Sequence, residues 1–146
     1  MKWAVANGWR QDNPAEAIAQ ALPKQDKTQA HRKALPYNLV SEFLDALKES
    51  NAGDATKLAL ELLILTASRS GEVRLAEWSE IDLDQAVWTR PAHRMKAKKE
   101  HRVPLSPRAV ELLLQARKYG SGDGLVFPGT KHGKPLSDMT LSKLTK

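Results

Sequence analysis

Hydrophobic residues recur at helical spacing in the middle of the chain and predict two consecutive α-helices. Between positions 39 and 47 the apolar side chains lie three or four residues apart, which gives one helix an apolar face. They are Leu39, Val40, Phe43, Leu44 and Leu47. The sequence Asn-Ala-Gly at 51–53 predicts the end of that helix. Residues 54–67 predict a second helix, and because apolar side chains surround most of its circumference we expect it to pass through the core.

After the second helix, three short segments have the composition and boundaries of β-strands. They are residues 78–83, 86–90 and 102–105. Residues 83–86 and 95–100 separate them and predict two turns, of which the second is rich in lysine. Strands joined by such short turns pair antiparallel. The sequence therefore predicts an α+β fold that is mainly helical, with helices packed against a small three-stranded antiparallel sheet.

Apolar spacing and capping residues predict further helices toward both ends of the chain. Residues 1–9 have the pattern of the last turns of a helix. Residues 13–22 begin with Asn-Pro-Ala-Glu, which combines a capping asparagine, a proline in the first turn and a glutamate that closes a capping box. Ser106 followed by Pro107 predicts another helix start by the same reasoning, and we expect a last helix to begin at Ser137.

A polar segment separates the first helices from the rest of the chain. Residues 23–36 contain four Lys or Arg residues, two prolines and little apolar content. This composition is typical of a linker. It divides the chain into residues 1–22 and residues 37–146.

Composition narrows the classes of function. The 146 residues carry a net charge of +6, which favours an acidic partner such as nucleic acid, although a membrane surface or simple solubility also fits. The chain contains no cysteine, which excludes disulfides and thiolate metal sites and favours a reducing, cytoplasmic location. No apolar run reaches the length of a signal peptide core or a membrane span, so we expect no membrane partner.

The sequence lacks the motifs of several enzyme classes. Its four histidines are scattered and do not have the spacing of a metal site. Glycines occur in YGSGDG at 119–124 and PGTKHGK at 128–134, but not as the Gly-x-x-x-x-Gly-Lys-Ser/Thr of a phosphate-binding loop. The Gly-x-Ser-x-Gly of serine hydrolases is also absent.

Arg69 is the first candidate for chemistry, because it follows the apolar second helix in the sequence Ser-Arg-Ser-Gly at 68–71. A guanidinium at the end of a core helix needs an anion or water, since a buried ion that loses its partner costs roughly 3–5 kcal/mol. In an ordinary structural turn the partner would be Glu72 or Glu77. The alternative partner is a phosphate, which the planar guanidinium and the free N–H groups of the next helix start both suit.

Residues 90–102 are the second candidate, because the positive charge of the chain is concentrated there. This segment holds six Lys or Arg residues against one Glu, a local charge of +5. On a hairpin these side chains would project toward a DNA phosphate backbone. A solvated hairpin tip without a ligand is the structural alternative. The candidate nucleic-acid-binding residues are Arg90, Arg94, Lys98, Lys99 and Arg102.

Four segments, in this order and at this spacing, resemble the tyrosine recombinases and in particular the phage-type integrases. They are TASRSGEVRLAEWSEIDLD at 66–84, MKAKKEHRVPLS at 95–106, LVFPG at 125–129 and GKPLSDMTLSKL at 133–144. The resemblance implies that residues 1–22 are the C-terminal end of a helical core-binding domain and residues 23–36 a basic linker. Residues 37–146 would be an incomplete catalytic domain with the fold of its N-terminal part.

The resemblance also implies a chemistry, in which duplex DNA is cut and rejoined through a 3′-phosphotyrosyl intermediate without a metal, nucleotide or other cofactor. Arg69 matches the first catalytic arginine of the family, which holds non-bridging oxygens of the scissile phosphate. Lys96 matches the hairpin lysine, the general acid toward the leaving 5′-oxygen. Lys98 is the alternative if the hairpin register shifts. Glu72 matches the structural support of the arginine.

By the same resemblance, the partner is double-stranded DNA, on which the parent family assembles as a tetramer, and no small-molecule substrate is expected. The family also needs a His-x-x-Arg pair, a further His or Trp and a nucleophilic Tyr after Gly-Lys-Pro-Leu-Ser-Asp, and this sequence has none of them there. Tyr37 and Tyr119 precede that point. We therefore expect a fragment that is inactive alone; the alternative is a non-catalytic basic module that binds DNA or a protein partner.

Overall fold

The computed structural model describes residues 1–16, 18, 22, 34–120, 123–131 and 133–144. These residues belong to two units, Met1–Leu35 and Pro36–Lys146. Most of the linker expected over 23–36, and much of the helix expected over 13–22, lie outside the described residues, as do parts of the two glycine-containing segments.

The first unit contains helix α1, Lys2–Ala6, where the sequence predicts the last turns of a helix. The rings of Trp3 and Trp9 meet edge to face, with centroids 5.2 Å apart. The Asn13 side chain accepts a hydrogen bond from the backbone N–H of Ala15 at 3.3 Å. This is the capping contact that the Asn-Pro-Ala-Glu sequence predicts.

The second unit holds helices α2 to α6 and strands β1 to β3. The helices are α2 Val40–Glu49, α3 Asp54–Thr66, α4 Ser70–Arg74, α5 Pro107–Ala116 and α6 Asp138–Lys143. The strands are β1 Ile81–Asp82, β2 Val87–Arg90 and β3 His101–Pro104. Short 3₁₀ turns occupy Tyr37–Leu39, Trp78–Glu80, Ala92–Arg94 and Arg117–Tyr119. The expected α+β fold, mainly helical with a three-stranded antiparallel sheet, is confirmed.

Helix α3 passes through the core, as its apolar circumference predicts. Its residues 58–62 are all buried, including the carboxylate-bearing Glu61. Arg108 of α5 donates to Glu61 Oε1 at 2.8 Å, which pairs the buried acid. Helix α5 begins where expected, because Ser106 Oγ accepts the N–H of Ala109 at 3.2 Å and Pro107 occupies the first turn.

The sheet has the order β1-β2-β3 with both pairs antiparallel. Fully buried Trp88 at its centre pairs with Ile81 on one side and Val103 on the other. The first strand is shorter than predicted, because Trp78–Glu80 forms a 3₁₀ turn instead. The N–H of Trp78 donates to Gly124 O at 2.8 Å, which ties that turn to a loop and not to the sheet.

The last pair in the sheet is Arg90 with His101, so residues 91–100 form the loop of the β2-β3 hairpin. No helix in the described part of the chain is long and apolar enough to cross a membrane.

Candidate active site

Arg69 lies at the start of α4, where the chain leaves the core helix α3. Ala67 ends α3 in the left-handed conformation (φ 47°), and Arg69 then occupies the N-cap position of α4 with an extended backbone. Its side chain is 71% exposed. The turn therefore presents the guanidinium at the surface, a few residues after the buried part of α3 at 58–62.

Glu72 fixes the geometry of Arg69 from the first turn of α4. One carboxylate oxygen, Oε2, accepts the backbone N–H of Arg69 at 3.0 Å, and the other, Oε1, accepts from the Arg69 guanidinium at 2.9 Å. Glu72 is only 9% exposed. The same carboxylate thus caps the helix and orients the arginine side chain.

A second guanidinium, that of Arg90 on β2, binds the same carboxylate. Arg90 is 5% exposed and donates to Glu72 through Nη1 and to Ser68 Oγ through Nη2 at 3.0 Å. Its guanidinium carbon also lies 4.5 Å from the centroid of the Trp88 ring, a cation–π distance. Arg90 therefore joins the sheet to the α3-α4 turn from inside the protein.

These contacts determine the ionisation of the buried pair. Burial alone would raise the pKa of Glu72, but the two hydrogen bonds from Arg69 and the charge of Arg90 outweigh it, and the pKa of Glu72 is lowered. Burial lowers the pKa of Arg90, which the charge of Glu72 opposes. Glu72 is consequently an anion that accepts hydrogen bonds from two cations.

A third arginine, Arg94, lies in the hairpin loop with 17% of its side chain exposed. Its Nη1 forms an ion pair with Glu80, and its Nη2 donates to the backbone carbonyl of Glu72 at 2.9 Å. Glu80 also accepts from Trp88 Nε1 at 3.0 Å. The loop is thus attached both to the 3₁₀ turn before β1 and to α4.

Arg69 and Lys96 line one open cavity of about 470 Å³. The remaining lining residues are Ser70, Gly71, Glu72, Leu75 and Arg94. Lys96 is exposed, and within the described part of the chain no hydrogen bond or ion pair engages its ammonium group. The two candidate catalytic cations are 27 residues apart in the sequence, and the structure brings them to one concave surface.

The five candidate nucleic-acid-binding residues separate into two groups. Lys98, Lys99 and Arg102 are exposed, as expected of side chains that project from a hairpin, and they do not line the cavity. Arg90 and Arg94 do not project as the sequence analysis expected. Each is instead paired with a largely buried carboxylate, because the strand register and the 3₁₀ turn direct their side chains inward.

Three partners in this cluster, Glu80, Ser68 and Trp88, were not predicted from the sequence. An acidic residue between the apolar Trp78 and Ile81 was the available signal for Glu80, but its partners depend on the hairpin register. Nothing local distinguished Ser68. Among the described residues, no group of three or more His, Asp or Glu side chains is placed to hold a metal ion.

Comparison with known proteins gives consistent similarities along the chain. Residues 33–146 match the model of the phage integrase family. The integrase of Enterobacteria phage P4 is 37% identical, over 97% of this chain and 35% of that protein. Tyrosine recombinase XerC of Chromobacterium violaceum is 30% identical, over 97% of this chain and 46% of that protein.

A solved structure is also similar, the integrase from mycobacterium phage Brujita. The two have a TM-score of 0.56 and 25% sequence identity, over 97% of this chain and 44% of the other. This chain therefore spans between about a third and a half of the length of these relatives.

Proposed function

Because the chain belongs to the phage integrase family, we propose that it is a segment of a site-specific DNA recombinase. This protein cuts and rejoins duplex DNA through a 3′-phosphotyrosyl intermediate. The observation that carries the proposal is the shared cavity of exposed Arg69 and Lys96, beside a hairpin that presents further cations. A non-catalytic binding module would not need Arg69 and Lys96 in one cavity. That alternative would have been favoured if Arg69 were buried and paired only with Glu72.

In the proposed reaction, Arg69 holds the non-bridging oxygens of the scissile phosphate. Negative charge increases on these oxygens as the phosphorus becomes pentacoordinate, and a cation already fixed in place stabilises it without reorganising. The two hydrogen bonds to Glu72 supply that fixation. Loss of one such donor typically slows a reaction by about 10²–10³-fold.

Lys96 acts in the same proposal as the general acid. A tyrosine oxygen forms a bond to phosphorus while the bond from phosphorus to the 5′-oxygen breaks. Overall, one proton passes from the tyrosine hydroxyl to the new 5′-hydroxyl, and Lys96 donates to the leaving oxygen. Lys98 remains the alternative donor. It is exposed in the same loop with a positive φ of 50°, but it does not line the cavity.

Lys98, Lys99 and Arg102 would bind the DNA backbone around the cut. Their contacts are electrostatic, so they should supply affinity that falls steeply with salt and carries little sequence information. We propose Arg90 as an internal support of Glu72 and not as a DNA contact, because it is buried and bound to Glu72 and Ser68.

The domain assignment follows the family as well. Residues 1–22 would close a core-binding domain, residues 23–36 would be the basic linker and residues 37–146 would begin the catalytic domain. The His-x-x-Arg pair and the nucleophilic tyrosine would then lie in the remainder of the recombinase. This chain alone should not cleave DNA. Assembly on DNA should require the longer protein. That protein would act in the cytoplasm, where its DNA lies.

The test uses the recombinase that contains this segment and a nicked duplex that traps the covalent intermediate. Arg69→Ala and Lys96→Ala should each reduce the rate of covalent complex formation by about 10²-fold or more. Lys118→Ala is the control, because its side chain is exposed and does not line the cavity. A wild-type rate in the Arg69 variant would disprove the role given to Arg69.

A further inference from the structure

We propose that Arg94 is a positioning residue for Lys96, which it holds against the helix that carries Arg69; this inference rests on the proposed function. The sequence pattern suggested a direct DNA contact for Arg94. The structure assigns it a different role, because its guanidinium joins the hairpin loop to two other elements, the 3₁₀ turn before β1 and α4.

The geometry is that of a fork with one arm on each element. Nη1 of Arg94 is paired with Glu80 in the 3₁₀ turn before β1, and Nη2 donates to the carbonyl oxygen of Glu72 in α4 at 2.9 Å. Arg94 is two residues before Lys96 and lines the same cavity. A planar guanidinium can make both contacts at once, whereas the ammonium group of a lysine cannot reproduce this fork.

The loop needs such an attachment. In the described part of the chain, its backbone hydrogen bonds join near neighbours: Arg94 to Pro91 at 3.1 Å, Met95 to Ala92 at 3.1 Å and Lys98 to Met95 at 2.9 Å. Bonds of this kind shape the loop but do not fix its place relative to α4. The Arg94 guanidinium supplies that placement.

Glu72 positions both candidate catalytic cations, Arg69 and Lys96. Its carboxylate orients Arg69, and its backbone carbonyl holds Arg94 and thereby the segment that carries Lys96. The separation of the two cations therefore depends on one residue of α4. A misplacement of about 1 Å between reacting groups can cost on the order of 10²-fold in rate, so the fork has a direct kinetic consequence.

The first arm of the test uses this chain alone and measures amide hydrogen exchange. In Arg94→Ala and Arg94→Lys, exchange of the hydrogen-bonded Met95 and Lys98 amides should accelerate by about tenfold or more, while buried α3 stays protected. Arg102→Ala, which removes an exposed arginine of the same hairpin, should leave exchange unchanged. Unaltered exchange in both Arg94 variants would overturn the proposal.

The second arm uses the recombinase that contains the segment and compares two DNA substrates. One has the natural 5′-oxygen at the scissile phosphate, and the other has sulfur there. A thiolate leaves without a proton, because the pKa of a thiol is about 8.5, far below that of an alcohol. Loss of a general acid is therefore repaired by the sulfur substrate, whereas a general structural defect is not.

Arg94→Ala should slow covalent complex formation on the oxygen substrate by about 10²-fold. On the sulfur substrate the rate of the Arg94→Ala variant should lie within a few-fold of the wild-type rate, and the same should hold for Lys96→Ala. An equal deficit on both substrates would overturn the proposal. If Arg94→Ala does not fold, Arg94→Lys and Glu80→Gln carry the same comparison. A wild-type protein that forms no covalent complex on either substrate would instead count against the proposed function.

Discussion

Removal of the Glu72 carboxylate should destabilise the protein strongly, because it leaves a buried guanidinium without its anion. Arg90 is 5% exposed, and breaking a buried ion pair from one side costs roughly 3–5 kcal/mol. The exposed Arg69 pair adds at most about 1 kcal/mol, and the lost hydrogen bond to the Arg69 N–H adds a similar amount. We expect Glu72→Ala to lower the free energy of unfolding by about 4–7 kcal/mol, with the Arg90 contribution dominant.

Urea unfolding, followed by tryptophan fluorescence, to which buried Trp78 and Trp88 contribute, measures this change. With a slope of roughly 1–3 kcal/mol/M, the midpoint should fall by at least about 1 M. Glu111→Ala is the matched control. Glu111 forms a surface ion pair with Arg108 at 3.1 Å, and its loss should lower the free energy of unfolding by under about 1 kcal/mol.

A double variant tests whether the unpaired charge of Arg90 causes the loss of stability. Replacing both members of a buried ion pair by apolar residues is often neutral or better, so Glu72→Ala combined with Arg90→Met should be more stable than Glu72→Ala alone. A double variant as unstable as the single one, or a Glu72→Ala protein within about 1 kcal/mol of wild type, would refute the account of an uncompensated buried charge.

Three further predictions concern stability. Because the pKa of Glu72 is lowered from its ordinary value of 4.5, the unfolded state binds the proton first; stability should fall as pH decreases below about 4.5, and Glu72→Gln should weaken this dependence in urea titrations from pH 7 to 3. Ala67→Gly should raise the free energy of unfolding by about 0.5–1 kcal/mol, because glycine adopts the positive φ of 47° at this helix end without strain. Gly129→Ala should lower the free energy of unfolding by about 1–3 kcal/mol in the same assay, because a Cβ there would lie 2.6 Å from Pro135 O.

Sequence reasoning predicted the elements whose signals are local. The apolar circumference of residues 54–67 placed α3 in the core, and Ser106 with Pro107 marked the first turn of α5. Both signals act within a few residues, through backbone capping and side-chain spacing. They require no knowledge of what packs against the element.

The orientation of Arg90 and Arg94 could not be predicted in that way. In residues 90–102 all six cations look alike as a charge run, and the sequence analysis assigned five of them to DNA. The separation between buried and exposed cations arises because β2 pairs with β3 at Arg90 and His101 and because Glu72 and Glu80 lie within reach on other elements. Those partners are 18 and 14 residues distant, which is beyond local pattern reasoning.

The two carboxylates set the charge that remains available at the cavity. Four cations and two anions make up the cluster, so 4 − 2 leaves a net charge of +2. They are Arg69, Arg90, Arg94, Lys96, Glu72 and Glu80. In the proposed reaction the phosphodiester would gain about one further negative charge on its oxygens in the pentacoordinate transition state, and this +2, together with the arginine of the proposed His-x-x-Arg pair, would stabilise that charge. Because Arg90 and Arg94 are paired with carboxylates inside the protein, this residual charge resides on the two exposed cations of the cavity, Arg69 and Lys96.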